Sequence, residues 1–393
     1  MAEDLLELIV TDAESLMDCV AHLQTVEVFG FDTEFVGEDS YHPELCLVQV
    51  ATEERRYLLD PLALDSLTPF WNIVTDPAKC VIVHAGREEV RMCKHFSGQV
   101  PGNLFDVQIA AGLLGLGYPL GHAALVQQTL HAQLSKGETL TDWRKRPLTA
   151  AQIRYAYDDV RYLIPLWKKL TARLRERNRL EWAQEEFATF LEKSCGDSPT
   201  TERWRKLRGL GSFDRRKLAV VRALYQWREE QAARLNRPSR FVLRDDLLIE
   251  AAKWNPASDR DFQQLRGMPK TDLAMLSQLI ESARQTPLAD CPEAVERDIE
   301  TPQQTLITTL LNAVLNDFCR QSSLTPALVA TMSDLRALVR SQMLGESFGS
   351  ESALGRGWRR EAVLPELLLM LQGRKSIRIA NLRAESPLEY CDT

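Results

Sequence analysis

Asp32 and Glu34 stand two residues apart inside a hydrophobic stretch, Val26 to Val36, that is otherwise valines, phenylalanines, Gly30, Thr33 and one further acid, Glu27. Aromatic and β-branched residues of this kind form strands. Side chains alternate faces along a strand, so Asp32 and Glu34 share the face of Val26, Val28 and Gly30, while Phe31, Thr33 and Phe35 point the other way. Two strand positions span roughly 6.5–7 Å, and two bare anions at that distance repel by about 2 kcal/mol at an effective dielectric near 20. Burial among phenylalanines adds to that cost unless a cation lies between them. The pair therefore reads either as one half of a divalent-metal site or as an ordinary acidic strand end exposed to water.

Further groups of the same chemistry lie downstream. Glu88 and Glu89 open a helical stretch, 87–97, just after the apolar run Cys80 to His84 and the breaker Gly86. They either supply another carboxylate or complement the positive helix N-terminus, worth about 0.3–1 kcal/mol each. Tyr155 and Asp159 are four apart, on one face of a helix. Asp106 is a reserve carboxylate and reads as structural; His84 reads as a packed, hydrogen-bonded core histidine. Asp142 and Trp143 read as a buried turn with Trp143 in the core.

Several elements must bring these groups together. Residues 5–24 read as a strand and then a helix beginning near Thr11-Asp12, followed by the strand carrying Asp32. Leu45 to Val50 and Arg56 to Asp60 follow at short intervals, which predicts an antiparallel meander. Residues 64–75 read as helix, and Cys80 to His84 as a strand covered on both faces. Leu104 to Asp106 reads as a short strand or turn before a helix over 107–116. Pro147 and the capping box Thr149-Ala150-Ala151-Gln152 start the helix that carries Tyr155 and Asp159. Strands first and β–α–β alternation later point to a mixed sheet with helices packed on it.

The 393 residues suffice for two or three domains. No apolar run reaches the roughly 20 residues that span a bilayer, and the acidic start lacks a signal-peptide layout, so the expected location is cytoplasmic and no membrane partner is expected. Eight cysteines occur without a Cys-x-x-Cys, and six histidines without zinc spacing. No disulfide framework is expected, and any metal should be a hard, oxygen-liganded one. The chain carries net charge −7, distributed unevenly: residues 201–246 hold 13 Lys and Arg against 6 Asp and Glu, whereas the remainder holds 35 against 49. Such segregation suits nucleic acid at the basic segment. Its Arg203, Arg205, Lys206, Arg215, Arg216 and Lys217 are candidate phosphate contacts, or simply a solvated helix face. Polar, turn-rich residues near 193–202 and 286–302 read as linkers separating helical units without strand signals.

In chain order, Asp32-Thr33-Glu34, His84-Ala85-Gly86-Arg87-Glu88-Glu89, Thr141-Asp142-Trp143 with Arg146-Pro147-Leu148, and Tyr155-x-x-x-Asp159 resemble the motifs of the ribonuclease D family, in the tyrosine branch of the DEDD superfamily of 3′–5′ exonucleases. The resemblance implies an α/β RNase H-like exonuclease domain with a mixed sheet over 1–192, a linker at 193–202, and an all-α HRDC module at 203–285 with Asn236-Arg237-Pro238 and Asp245-Asp246-Leu247 at the usual places. A second linker at 286–302 and a second HRDC-like helical domain with a C-terminal tail, 303–393, complete the chain.

The implied activity is a two-metal 3′–5′ exoribonuclease that uses Mg²⁺ or Mn²⁺, trims 3′ ends of structured RNA such as tRNA precursors, and releases nucleoside 5′-monophosphates. The implied catalytic set is Asp32, Glu34, Glu89, Tyr155 and Asp159, the four carboxylates being the metal ligands. Asp32 would bridge both ions, Glu34 and Asp159 would complete the shell of the first ion, and Tyr155 would orient the attacking water. The family usually has Asp where this chain has Glu89, the position associated with the second metal. Two alternatives stay open: a DNA 3′–5′ exonuclease, since no residue visibly reads a 2′-hydroxyl, and a catalytically weakened RNA-binding scaffold with Glu89 disabling the second metal.

Overall fold

The computed structural model describes residues 5–134, 141–195, 200–254, 273–294, 300–384 and 387–392. Both expected linkers lie partly outside these residues. The first domain is built on a six-stranded mixed sheet: β1 (Leu6–Val10), β2 (Val28–Val36), β3 (Glu44–Ala51), β4 (Arg55–Leu59), β5 (Cys80–Val83) and β6 (Leu104–Asp106), in the order β1-β4-β3-β2-β5-β6. β2, β3 and β4 form the antiparallel meander, and β1 runs parallel to β4. On the other side of β2, strands β5 and β6 run parallel to it.

Alternation decides which helix covers which face. Phe29, Phe31, Val81 and Val83 join one buried cluster with α1 (Ala13–Thr25), α2 (Thr68–Val74) and α3 (Arg87–Ser97). Ile82, one position out of phase, joins the opposite cluster with α4 (Val107–Leu113), α5 (His122–Leu130), α7 (Leu163–Glu176) and α8 (Leu180–Cys195). Before α7 comes α6 (Ala150–Arg161), whose Ala156 and Tyr157 pack with Leu47, Leu58 and Trp143. Gly30 lets α7 approach the sheet: a Cβ there would lie 2.8 Å from the Leu163 side chain. Two helices are shorter than expected, since α2 begins only at Thr68 and α4 stops at Leu113.

The basic segment folds into α9 (Thr200–Arg203), α10 (Arg215–Leu235), α11 (Ser239–Val242), α12 (Asp245–Trp254) and α13 (Leu273–Gln285) around a separate core containing Trp204, Leu224, Leu248 and Ile280. The chain then forms α14 (Pro302–Gln321), α15 (Pro326–Val329), α16 (Met332–Leu344), α17 (Gly357–Ala362) and α18 (Leu364–Leu371). These helices share the α4/α7/α8 core. The all-helical reading of this last part needs one correction: β7 (Lys375–Ile379) pairs antiparallel with β8 (Leu388–Asp392). Both are short segments alternating apolar and polar side chains, a period-two signal masked by their high charge. No helix among the described residues is long and apolar enough to cross a membrane, and seven cysteines among them are free.

Candidate active site

β2 outruns its parallel neighbour. β5 pairs with it only from Val28 to Gly30 and then leaves the sheet at Val83, so the segment from Phe31 onward opens a crevice beyond the carboxyl end of β5. Such ends are the usual ligand sites of sheets of this type. Asp32 and Glu34 line the crevice as half-buried side chains. From one side α6 delivers Tyr155 and Asp159, which are hydrogen bonded to each other and lie close enough to Asp32 and Glu34 to repel them electrostatically. Helix α6 starts where expected: Thr149 and Gln152 close a reciprocal capping box. Arg146 fixes the approach to it by donating to both Asp60 carboxylate oxygens and, at 2.7 Å each, to the Cys46 and Trp143 carbonyls.

From the other side α3 delivers Glu89, which is only 5 % exposed. The Thr33 hydroxyl donates to Glu89 Oε1 at 2.7 Å, and the Asp32 and Glu89 carboxyls lie close enough to shift one another. Burial, and after it repulsion by the Asp32 charge, raises the Glu89 pKa well above the usual carboxylate range. Alternation along β2 predicts only that Thr33 faces away from the carboxylate pair. No local signal marks its role, which follows from the neighbouring strand ending early.

Burial raises every member of the group, and the Asp32 charge raises the others further. Burial, then repulsion by Asp32, lifts Glu34 to about 8, and burial with repulsion by Asp32 and Glu34 lifts Asp159 to about 9. Asp32 is raised by burial and Tyr155 by burial and the Asp159 charge. Asp159 Oδ2 is buried without a hydrogen-bond partner. Carboxylates that raise one another by desolvation and repulsion form a site waiting for positive charge, and their donor set is all hard oxygen, as magnesium or manganese requires. Among the described residues no three His, Cys, Asp or Glu side chains are grouped so as to hold an ion by themselves. Magnesium keeps several waters and takes one or two carboxylates plus substrate phosphate oxygens.

The remaining candidates have other duties. Asp106 caps α4, accepting from Gln108 N at 2.8 Å and Ile109 N at 3.3 Å, and also accepts from Gly86 N at 3.0 Å. His84 Nε2 meets the Leu120 carbonyl at 2.8 Å. Asp142 pairs with Arg144, and Trp143 is buried beside Tyr155. Among the six basic residues, Arg205 pairs with Glu202, Arg215 donates to the Cys291 carbonyl, Arg216 to that of Arg284, and Lys217 pairs with Asp214. Arg203 and Lys206 have no such partner among the described residues.

Comparison with known proteins agrees with this arrangement. Residues 8–175 match the family model of a 3′–5′ exonuclease and residues 217–280 that of the HRDC domain. Ribonuclease D of Pseudomonas paraeruginosa is 34% identical over 92% of this chain and 97% of its own length. That of Sphingobium indicum is 32% identical over 95% and 97%. The crystal structure of Escherichia coli RNase D, an exoribonuclease involved in structured RNA processing, superposes with a TM-score of 0.82 at 26% identity, covering 93% of this chain and 98% of that one. Together with the crevice of carboxylates and the HRDC segment, these likenesses place the chain in the ribonuclease D family of 3′–5′ exoribonucleases.

Proposed function

We propose that the enzyme works with two divalent metal ions, Mg²⁺ or Mn²⁺, and trims the 3′ ends of structured RNA, tRNA precursors among them, releasing nucleoside 5′-monophosphates. The observation that carries this reading is the convergence of Asp32, Glu34, Glu89 and Asp159 from β2, α3 and α6, each raised by burial and the last three also by the Asp32 charge. The ions would neutralise charge on the attacking and leaving oxygens of the phosphodiester. Asp32, with Glu89 on one side and Asp159 on the other, would be shared between the two ions; Glu34 and Asp159 would help to hold one of them and Glu89 the other. Tyr155, its hydroxyl held by Asp159, orients the water that attacks. The longer Glu89 side chain reaches Asp32 and Thr33 from α3, which favours a working site over an inert scaffold. Arg203 and Lys206 are the basic residues left to meet RNA phosphates.

The test is 5′-end-labelled RNA incubated with Mg²⁺ or Mn²⁺. Wild type should shorten it from the 3′ end, and Asp32→Asn should lower the rate by at least about a hundred- to thousandfold with its melting curve intact. Undiminished turnover by that variant would place the chemistry elsewhere. A second readout needs no turnover: with metal removed by EDTA, Asp159→Asn deletes one repelling buried carboxylate and should melt higher than wild type, by on the order of 1 kcal/mol. A lower melting temperature would mean that Asp159 serves the fold rather than a metal.

A further inference from the structure

A second concentration of charge, opposite in sign, lies on the far side of α3. There a cavity of about 410 Å³ between the exonuclease domain and the HRDC segment is lined by Arg87 and Arg91 of α3, Lys193 of α8, Arg203 of α9, Lys206, and Arg228 of α10. Arg91 is paired with Glu88 and Arg228 with Asp245, the one acid in the lining. Arg87, Lys193, Arg203 and Lys206 form no ion pair among the described residues. Four cations thus face one cavity without compensation. Like charges brought together in this way repel, and an anion relieves the repulsion.

We infer that this cavity is a phosphate subsite for the RNA backbone, a few nucleotides on the 5′ side of the end being removed, an inference that rests on the exoribonuclease reading above. Position supports it. Arg87 and Arg91 are four apart on one face of α3, whereas Glu89 between them turns to the opposite side and enters the catalytic crevice. The cavity and the crevice are therefore separated by about one helix diameter, roughly 10–12 Å. Shape supports a strand over a lone ion: Arg87, Lys193 and Ser194 also line a neighbouring cavity of about 410 Å³, walled by Tyr118 and Phe190, whose two acids are already engaged, Asp106 in capping α4 and Glu186 in pairing with Arg359. A basic track beside aromatic side chains suits a strand of successive phosphates and stacked bases. The lining comes from both the exonuclease domain and the HRDC segment, so bound RNA would hold the two together.

Lys193, Arg203 and Lys206 changed together to Gln remove three charges without uncovering a partner. RNA binding is measured in EDTA, so that nothing is cleaved, with a single-stranded RNA of about sixteen nucleotides and a trinucleotide. The long RNA should bind about tenfold more weakly to the variant, and the slope of log affinity against log salt should shrink by about 0.7 per lost contact. The trinucleotide, too short to reach the cavity from the crevice, should lose far less. A control variant with Arg173, Arg175 and Arg177 changed to Gln removes equal charge elsewhere and should bind the long RNA nearly as wild type does. Unchanged affinity of the cavity variant for the long RNA, or an equal loss in the control, overturns the proposal. So does calorimetric binding of inorganic phosphate by wild type that the cavity variant loses while keeping its RNA affinity, since the cavity then takes free phosphate. Digestion by wild type alongside unaltered RNA binding by the variant defeats the subsite alone; weakened binding by the variant with no digestion by wild type defeats only the catalytic reading.

Discussion

The two helical segments that follow the exonuclease domain meet it in opposite ways. The helices from Pro302 to Leu371 have no closed core of their own. Leu311, Leu315, Leu338 and Trp358 belong to the same buried cluster as Leu113, Leu166 and Phe187. The joint is locked by buried polar groups: Arg359 pairs with Glu186 and donates to the Val329 carbonyl at 2.8 Å, while Arg179 reaches the Leu113, Ser322 and Ser323 carbonyls. Trp358 stacks on Trp182 at 4.6 Å. The HRDC segment instead buries its tryptophans and leucines within itself. It touches the exonuclease domain through polar contacts to the loop after β2, from Arg240 to the Glu38 carbonyl at 2.9 Å and from the His42 amide to Asn236 at 3.1 Å. Shared cores unfold together, whereas segments joined by polar contacts are free to unfold and shift separately. One segment thus completes the exonuclease core, and the other is joined to it by polar contacts at the loop after β2.

Disrupting the lock should have the largest effect. Arg359→Ala leaves Glu186 buried without its partner and should cost about 3–5 kcal/mol, lowering the melting of the exonuclease core itself; a loss confined to a separate transition would mean that the joint is not shared. Leu224→Ala, in the middle of α10, should cost about 2–5 kcal/mol. That loss should fall on the HRDC transition alone, as seen by hydrogen exchange of α10 against that of β2 and β5.

Histidine sharpens the contrast, because all six histidines precede residue 132 and none lies in the HRDC segment. Burial, and secondarily the nearby His84, lowers His122 to about 3. A group depressed in the folded state is neutral in both states above about pH 6.5. Below that the unfolded chain binds the proton and the native one does not, so stability falls as pH drops from about 6.5 toward 3. Relative to His122→Asn, wild type should lose on the order of 1 kcal/mol per pH unit across that window. The loss should appear in the exonuclease transition and leave the HRDC transition unmoved; a parallel shift of both would show that they melt as one. Smallest of all, Arg240→Ala should cost no more than about 1 kcal/mol, yet quicken hydrogen exchange in the loop after β2.

Much of the catalytic region was legible because its signals are local. Period-two alternation assigned Asp32 and Glu34 to one face, and the i, i+4 spacing of Tyr155 and Asp159 with the capping box at Thr149 set the helix that presents them. The end of β5 and the start of α3 were read from an apolar run and Gly86. The positions of the shorter helices α2 and α4 were less exact, since their ends are set by packing rather than by breakers. The hairpin at Lys375–Ile379 and Leu388–Asp392 is not legible in the sequence because its apolar positions are few and its charges many. The basic residues were recognised by composition, which records charge without recording whether a carbonyl or carboxylate of the chain already neutralises it.

By itself, then, the sequence determined the elements, the residue types with chemistry in them, and the family pattern to which they belong. Only the tertiary structure decided that Glu89 crosses from α3 to meet Asp32 and Thr33, that the last helices share the exonuclease core, and that Arg87, Lys193, Arg203 and Lys206 face one cavity. The physical reason is range. Propensity, capping and periodicity act over a few neighbouring residues, whereas burial, repulsion and ion pairing depend on which distant segments are brought within several ångströms of one another.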